Sequence, residues 1–271
     1  MTVYYAPNQI QSGAFPAILA IGDSWFWYPK ISNLLAEISA AVKPDYSNIM
    51  ALGYLGARLE EYLNGKYAAA FRRELRPNFV RYYSAVLISG GGNDAVDWGL
   101  CLKDDCSAET TALGCMDQRG LSERMTDLGG WLLAMITEVH AAFDSAKLRR
   151  ADIFIHCYDY APPNGKGFES PIFGIPLSGP WLKPAMDTRR VPLDYALRKE
   201  IVRLLIDALA KAFGEFDSPG ERVYVIQSQG TLDPDNDWDN ELHPNGEGFR
   251  KLVHGPWLDT LRRTRYAFYS S

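Results

Sequence analysis

The chain has 271 residues, 47% hydrophobic and 23% charged, enough apolar content to bury a sizeable core and unlike the composition of a disordered segment. Its 28 Lys and Arg against 33 Asp and Glu leave a formal charge of −5, and no basic cluster exceeds the run around Arg262, Arg263 and Arg265, so nucleic acid is not an expected partner. No stretch approaches the ~18 apolar residues of a membrane span, and the first 25 residues lack the basic flank of a secretory leader, so a soluble cytoplasmic protein is expected.

Residues 16 to 21 (PAILAI) read as a first strand, followed by a short helix over 30 to 42 and a second strand over 45 to 51 (DYSNIMA). A further helix over 57 to 71 leads to a third strand at 85 to 89 (AVLIS). Residues 94 to 120 follow neither helical nor strand period. A helix then carries Leu128, Trp131, Leu132, Met135, Ile136, Val139 and Phe143 on one stripe. The fourth strand is 152 to 156 (DIFIH), followed by a second aperiodic segment, 158 to 190, rich in Pro and Gly. Leu197, Ile201, Leu204, Leu205, Ala208 and Leu209 mark the next core-facing helix, and residues 222 to 227 (RVYVIQ) the fifth strand. A last helix begins near Asn245 and should kink at Gly255-Pro256, because proline has no N–H for the helix ladder.

Strands alternating with helices predict an α/β fold, a three-layer αβα sandwich around a five-stranded parallel sheet of flavodoxin type. One domain over residues 1–271 is expected, with long loop insertions at about 94–120 and 158–190. Both insertions follow a strand directly and should hang over the C-terminal edge of the sheet. Cys101, Cys106 and Cys115 share the first insertion, with Cys157 apart from them. Their spacing is not CxxC and no histidine lies nearby, which argues against zinc. Free thiols and a disulfide pinning the loop both remain open.

Ligands of open α/β sheets bind beyond the carboxyl ends of the strands. The residues there are Gly22-Asp23-Ser24-Trp25 after the first strand, Gly53 to Gly56 after the second, Gly90 to Asp94 after the third, and Asn240 to Pro244 beyond an acidic loop after the fifth. A hydroxyl, an imidazole, a carboxamide and amides beside small residues are what acyl transfer requires. Ser24 is a weak nucleophile until a base removes its proton, and His243 has the side chain for that work. The amides of Ser24 and Gly56 with the Asn93 carboxamide could stabilise the oxyanion.

These blocks resemble the SGNH (GDSL-like) hydrolases. GDSW is similar to their first block, GGND to their Gly-x-Asn-Asp block, and the histidine before Pro244-Asn245-Gly246 to their last, so that the pattern runs from residue 17 to about 255. The resemblance implies Ser24 as nucleophile, His243 as base, and Ser24, Gly56 and Asn93 as oxyanion donors, with Gly53 a rival for the glycine. It implies a serine esterase or lipase that needs no cofactor or metal. The family usually has Asp three residues before the histidine; here Asn240 stands there. Asn240 could hold the His243 tautomer but adds no charge, and Asp239, Glu241 or a backbone carbonyl could take the place instead.

Plainer readings stand beside these. Ser24 could cap a helix, Asn93 and Asp94 could make a turn, and His156 reads as a buried structural histidine. Trp25, Phe26, Trp27 and Tyr28 could wall an acyl pocket or pack the core, whereas Trp98, Phe173 and Trp181 in the long loops are candidates to face substrate. Asp233, Asp235, Asp237 and Asp239 alternate like a calcium loop, but Trp238 and Pro244 occupy the positions where that motif needs Gly and Glu. The expected substrate is a small-molecule carboxylic ester with a small or medium acyl group. An acylated glycan is the alternative, and a non-catalytic binding domain on a decayed hydrolase scaffold is a third reading.

Overall fold

A computed structural model describes residues 2–10, 14–28, 32–94, 101–169 and 176–266. In chain order these form β1 (Thr2–Tyr4), β2 (Ile18–Gly22), α1 (Leu34–Ala41), β3 (Asn48–Gly53), α2 (Leu59–Leu63), α3 (Ala68–Glu74), α4 (Pro77–Val80) and β4 (Ala85–Ser89). The second half contributes α5 (Ala112–Cys115), α6 (Gln118–Ser145), β5 (Asp152–His156), β6 (Phe168–Glu169), β7 (Pro176–Ser178), α7 (Leu182–Thr188), α8 (Tyr195–Gly214), β8 (Val223–Ile226), α9 (Gly246–Leu252) and α10 (Leu258–Leu261).

The central sheet is parallel, in the order β1-β3-β2-β4-β5-β8. Its last five members have the expected flavodoxin order, but the sheet has six strands rather than five. The sixth, Thr2–Tyr4, pairs at the edge with Asn48 to Met50. Three residues carry no readable period, and their strand state is set by a neighbour 46 positions away. Strands β2, β4 and β5 are buried throughout, as a sheet covered by helices on both faces requires. On one side α1 packs with α9; elsewhere α6 packs with both α2 and α8.

Other boundaries moved for local reasons. Helix α1 begins only where Asn33 caps it, accepting from Ala36 N at 3.0 Å. The expected helix over 57 to 71 divides at Asn64-Gly65 into α2 and α3. The segments expected to be loops are partly ordered: 94 to 120 holds α5 and the start of α6, and 158 to 190 holds the antiparallel β6–β7 pair and α7. The buried face of α8 centres on Val202, Ile206 and Phe213, leaving Leu197 and Leu204 only half-buried. The final helix kinks as expected: Gly255 leaves helical geometry at φ −103°, ψ −106°, just before Pro256. All four cysteines are buried free thiols.

The register brings the strand ends into line. Gly22 lies level with Gly53 and with Ser89, Ser89 with His156, and His156 with Ile226. The chain therefore leaves five adjacent strands along one edge. Gly22 must be glycine, because a Cβ there would stand 2.5 Å from the Ser89 carbonyl oxygen. The first turn of α2 is tied to the same edge by Asp94, whose two carboxylate oxygens each accept from Leu59 N at 3.1 Å.

Burial pushes the Asp94 carboxyl up to about 6, opposed by the N–H groups of Leu59 and Gly91. A carboxyl held above its unfolded value binds its proton more tightly in the folded state, so its contribution is greatest below the unfolded pKa and is lost as pH rises through about 6. The unfolding free energy of wild type relative to Asp94→Asn should therefore improve as pH falls from about 7 to about 4. Urea titrations across that window check this, and a pH-independent difference would contradict it.

Candidate active site

Ser24, His243, Asn93 and Gly56, which the chain separates by up to 219 positions, line one cleft of about 140 Å³ together with Leu55, Phe168 and Trp181. Ser24 lies two residues beyond β2, in a turn where Asp23 accepts from Trp25 N at 3.0 Å. His243 lies just before Pro244 and the Asn245 cap of α9. The Ser24 hydroxyl and His243 Nε2 are 2.7 Å apart. That is hydrogen-bonding distance.

The other ring nitrogen of His243, Nδ1, lies 3.0 Å from Asn240 Oδ1. Which end of the carboxamide faces the imidazole is set by its other partners. Oδ1 also accepts the backbone N–H groups of Leu242 at 2.9 Å and His243 at 3.0 Å, while Nδ2 donates to the Tyr28 hydroxyl at 3.1 Å. The Tyr28 hydroxyl spends its proton on the Asp239 carboxylate, so toward Asn240 it can only accept. Asn240 Oδ1 therefore accepts from His243 Nδ1–H, leaving Nε2 as the acceptor of the Ser24 proton. The Tyr28 ring also stacks on the imidazole, with centroids 4.4 Å apart and planes 16° apart. Burial and the adjacent Asp239 raise the Tyr28 pKa, keeping the phenol protonated.

Glu241 is spent elsewhere. Fully buried, its carboxylate accepts from Gly165 N (2.8 Å), Trp181 N (2.6 Å), Leu182 N (2.7 Å) and Lys183 N (3.0 Å). It thereby ties the long segment after β5 to the histidine loop. Trp181, held by one of those bonds, sets its indole edge-on to His243 at 6.0 Å.

Of the oxyanion candidates, Gly56 has a left-handed backbone (φ +70°) and lines the cleft, whereas Gly53 is still in β3, where a Cβ would press Phe26 and Trp27 at 3.3 Å. Gly56 is thus the glycine that faces Ser24. Neither the Ser24 nor the Gly56 N–H is used in a hydrogen bond among the described residues. Asn93 lines the same cleft and donates one amide hydrogen to the Ala57 carbonyl at 3.1 Å, which orients the group and leaves its second hydrogen.

The remaining candidates divide. Trp25 is buried and does not border the His243 cleft, but it lines a second recess that Ser24 and Asn93 also border. Its indole N–H donates to the Leu242 carbonyl at 2.8 Å, supporting the histidine loop from beneath, and its ring lies 5.0 Å from His156. His156 is fully buried and accepts from Trp257 Nε1 at 3.2 Å; desolvation lowers its pKa to about 3, so it stays neutral. Trp98 and Phe173 lie outside the described residues. The acidic run holds itself as a turn: Asp237 accepts from Asp233 N at 2.7 Å and pairs with Lys251 at 2.8 Å. Among the described residues no group of His, Cys, Asp or Glu could hold a metal ion, and no helix is long and apolar enough to cross a membrane.

Neither a family model nor a curated protein matches the chain. Among solved structures it is similar to a candidate SGNH hydrolase from Slackia heliotrinireducens, at 14% identity over 91% of this chain and 99% of the other, with a TM-score of 0.49. It is also similar to phospholipase A1 from Streptomyces albidoflavus NA297 (12% identity, 92% and 99% covered, TM-score 0.47). A third is the acetylxylan esterase Axe2 from Geobacillus stearothermophilus (13%, 93% and 95%, 0.44).

Tyr28→Phe keeps the stacked ring and removes the acceptor that orients Asn240. Phosphonylation of Ser24 by a fluorophosphonate should slow about tenfold in this variant, ~1.4 kcal/mol or the worth of one buried hydrogen bond. An unchanged labelling rate would mean that Asn240 holds its orientation without Tyr28.

Proposed function

We propose that the chain is a serine hydrolase of the SGNH type that cleaves carboxylic esters of small or medium acyl groups through an acyl-serine. The observation that carries this reading is the 2.7 Å approach of the Ser24 hydroxyl to His243 Nε2 in a cleft that also holds Gly56 and Asn93.

In this mechanism neutral His243 takes the Ser24 proton at Nε2 as Oγ attacks the ester carbonyl. The carbonyl oxygen becomes an oxyanion facing the amides of Ser24 and Gly56 and the Asn93 carboxamide; removing one such donor typically costs about 3 kcal/mol in the barrier. His243 Nε2–H then protonates the leaving alkoxide, and the alcohol departs. Water enters, loses a proton to His243, and attacks the acyl-serine. Collapse of the second intermediate releases the acid and returns the proton to Ser24.

Asn240 supports this chemistry despite being an amide. The comparable Asp→Asn change in a serine protease costs about 10⁴ because it leaves the wrong histidine tautomer. Here the carboxamide presents oxygen, not nitrogen, to the imidazole, which favours the productive tautomer. The non-catalytic reading loses its one support on that account. Trp181 on the cleft wall is a flat apolar surface that a sugar ring could stack on, which keeps an acylated glycan among the substrates to assay.

Ser24→Ala should abolish turnover of activated esters, and fluorophosphonate should label wild type at Ser24 alone. Unchanged hydrolysis by Ser24→Ala together with no labelling would end the proposal. Placing the common carboxylate at 240 should bring no gain. Asn240→Asp loses the donor to Tyr28 and adds a second negative group beside Asp239, so kcat/KM should equal or fall below wild type. A rise of tenfold or more would show that Asp239 contributes nothing through Tyr28.

A further inference from the structure

Ser24 stands between two recesses. One is the cleft that holds His243, Gly56 and Trp181. The other, a narrow recess of about 30 Å³, opens past Ser24 and Asn93 and is walled by Trp25, Tyr158, Ala161, Ile206 and Leu242. Among the described residues only Ser24, Asn93 and Leu242 border both. Resting on the hydrolase reading, we propose that the second recess is the acyl subsite, specific for a short, unbranched and uncharged acyl chain, while the alcohol occupies the His243 cleft.

The division is dictated by where the proton must go. His243 Nε2 carries the Ser24 proton to the leaving oxygen, so the leaving group has to lie on the imidazole side of the tetrahedral carbon. The oxyanion occupies the direction of Gly56 and Asn93. The acyl substituent is left with the direction away from His243, and the second recess, which His243 does not border, is there.

The chemistry of its wall selects what enters. Two carboxylates, Asp23 and Asp159, also border it, but both already accept hydrogen bonds. Asp23 accepts from the Tyr158 hydroxyl and from Trp25 N, and Asp159 accepts from Gly230 N at 2.6 Å and Leu232 N at 2.7 Å. An incoming chain therefore meets the Trp25 and Tyr158 rings and the Leu242, Ala161 and Ile206 side chains. An acyl chain ending in a carboxylate would lose its hydration and approach two buried acids, with no cation among the described wall residues to offset either cost. Depth is limited by Ile206, itself buried in α8, which stands behind the space.

The test is the acyl profile of kcat/KM with p-nitrophenyl esters, read as ratios within each protein so that partial loss of folded enzyme cancels. In wild type, kcat/KM should rise about fourfold per methylene from acetate to butyrate. It should then fall at least tenfold by octanoate, and a hemisuccinate ester should react at least a hundredfold more slowly than butyrate. Ala161→Leu, which shortens the recess, should lower the butyrate-to-acetate ratio at least tenfold. Ile206→Ala, which deepens it, should raise the octanoate-to-butyrate ratio at least tenfold. Trp181→Ala should alter discrimination among alcohols without moving either acyl ratio. If Ser24 is labelled and esters are cleaved, yet both acyl ratios in the Ala161 and Ile206 variants stay within twofold of wild type, the subsite assignment is wrong and the hydrolase reading stands. If Ser24 is neither labelled nor needed for cleavage, both fail together.

Discussion

The candidate site depends on the direction of one carboxamide. Asn240 accepts the imidazole N–H and two backbone N–H groups at one end and donates to Tyr28 at the other. A flipped amide would face two N–H donors with a third, leaving buried groups unpaired at a cost of about 1–3 kcal/mol each. The polarity is thus dictated by the loop's own backbone, and the tautomer of His243 is fixed by it. Asp239 takes part at one remove: it binds the Tyr28 proton and so makes the phenol an acceptor. A carboxylate, a phenol, a carboxamide and the imidazole thus stand in series.

A second buried acid has a purely architectural role. Glu241 ends four backbone N–H groups from the segment between β5 and α8 in a single carboxylate, and without it the buried Leu182 N–H and three partly buried ones would lose this partner. The bond to Trp181 N fixes where that indole stands relative to His243, so the cleft wall and the histidine are positioned from one short loop. Asp94 has a similar role at the neighbouring strand end, joining α2 to the turn that carries Asn93. Each of these acids beside the candidate catalytic blocks thus organises backbone.

The central sheet was readable because buried parallel strands demand runs such as AVLIS and DIFIH, and nothing else in a soluble chain makes those runs recur between helical stripes. The short edge strand was not, because Thr2–Tyr4 is a strand only by virtue of β3 beside it. Nor were α7 and the β6–β7 pair, whose Pro- and Gly-rich sequence has no period; their order comes from contacts such as those to Glu241. Ser24, Asn93 and His243 were legible as rim residues from chemistry and position alone. Asp23 and Asp94 gave no sign of their separate structural partners.

Sequence by itself determined that an α/β chain would bring a serine, a carboxamide and a histidine to the carboxyl ends of its strands, because strand order and hydrophobic period are local properties that survive in any linear reading. Tertiary structure decided everything that turns on angle and partner: that Gly56 and not Gly53 lines the cleft with Ser24, that Asn240 presents its oxygen to His243, and that Trp25 and Trp181 border different recesses beside Ser24. Hydrogen-bond direction and side-chain burial are set by neighbours hundreds of positions away, and no periodicity in the chain encodes them.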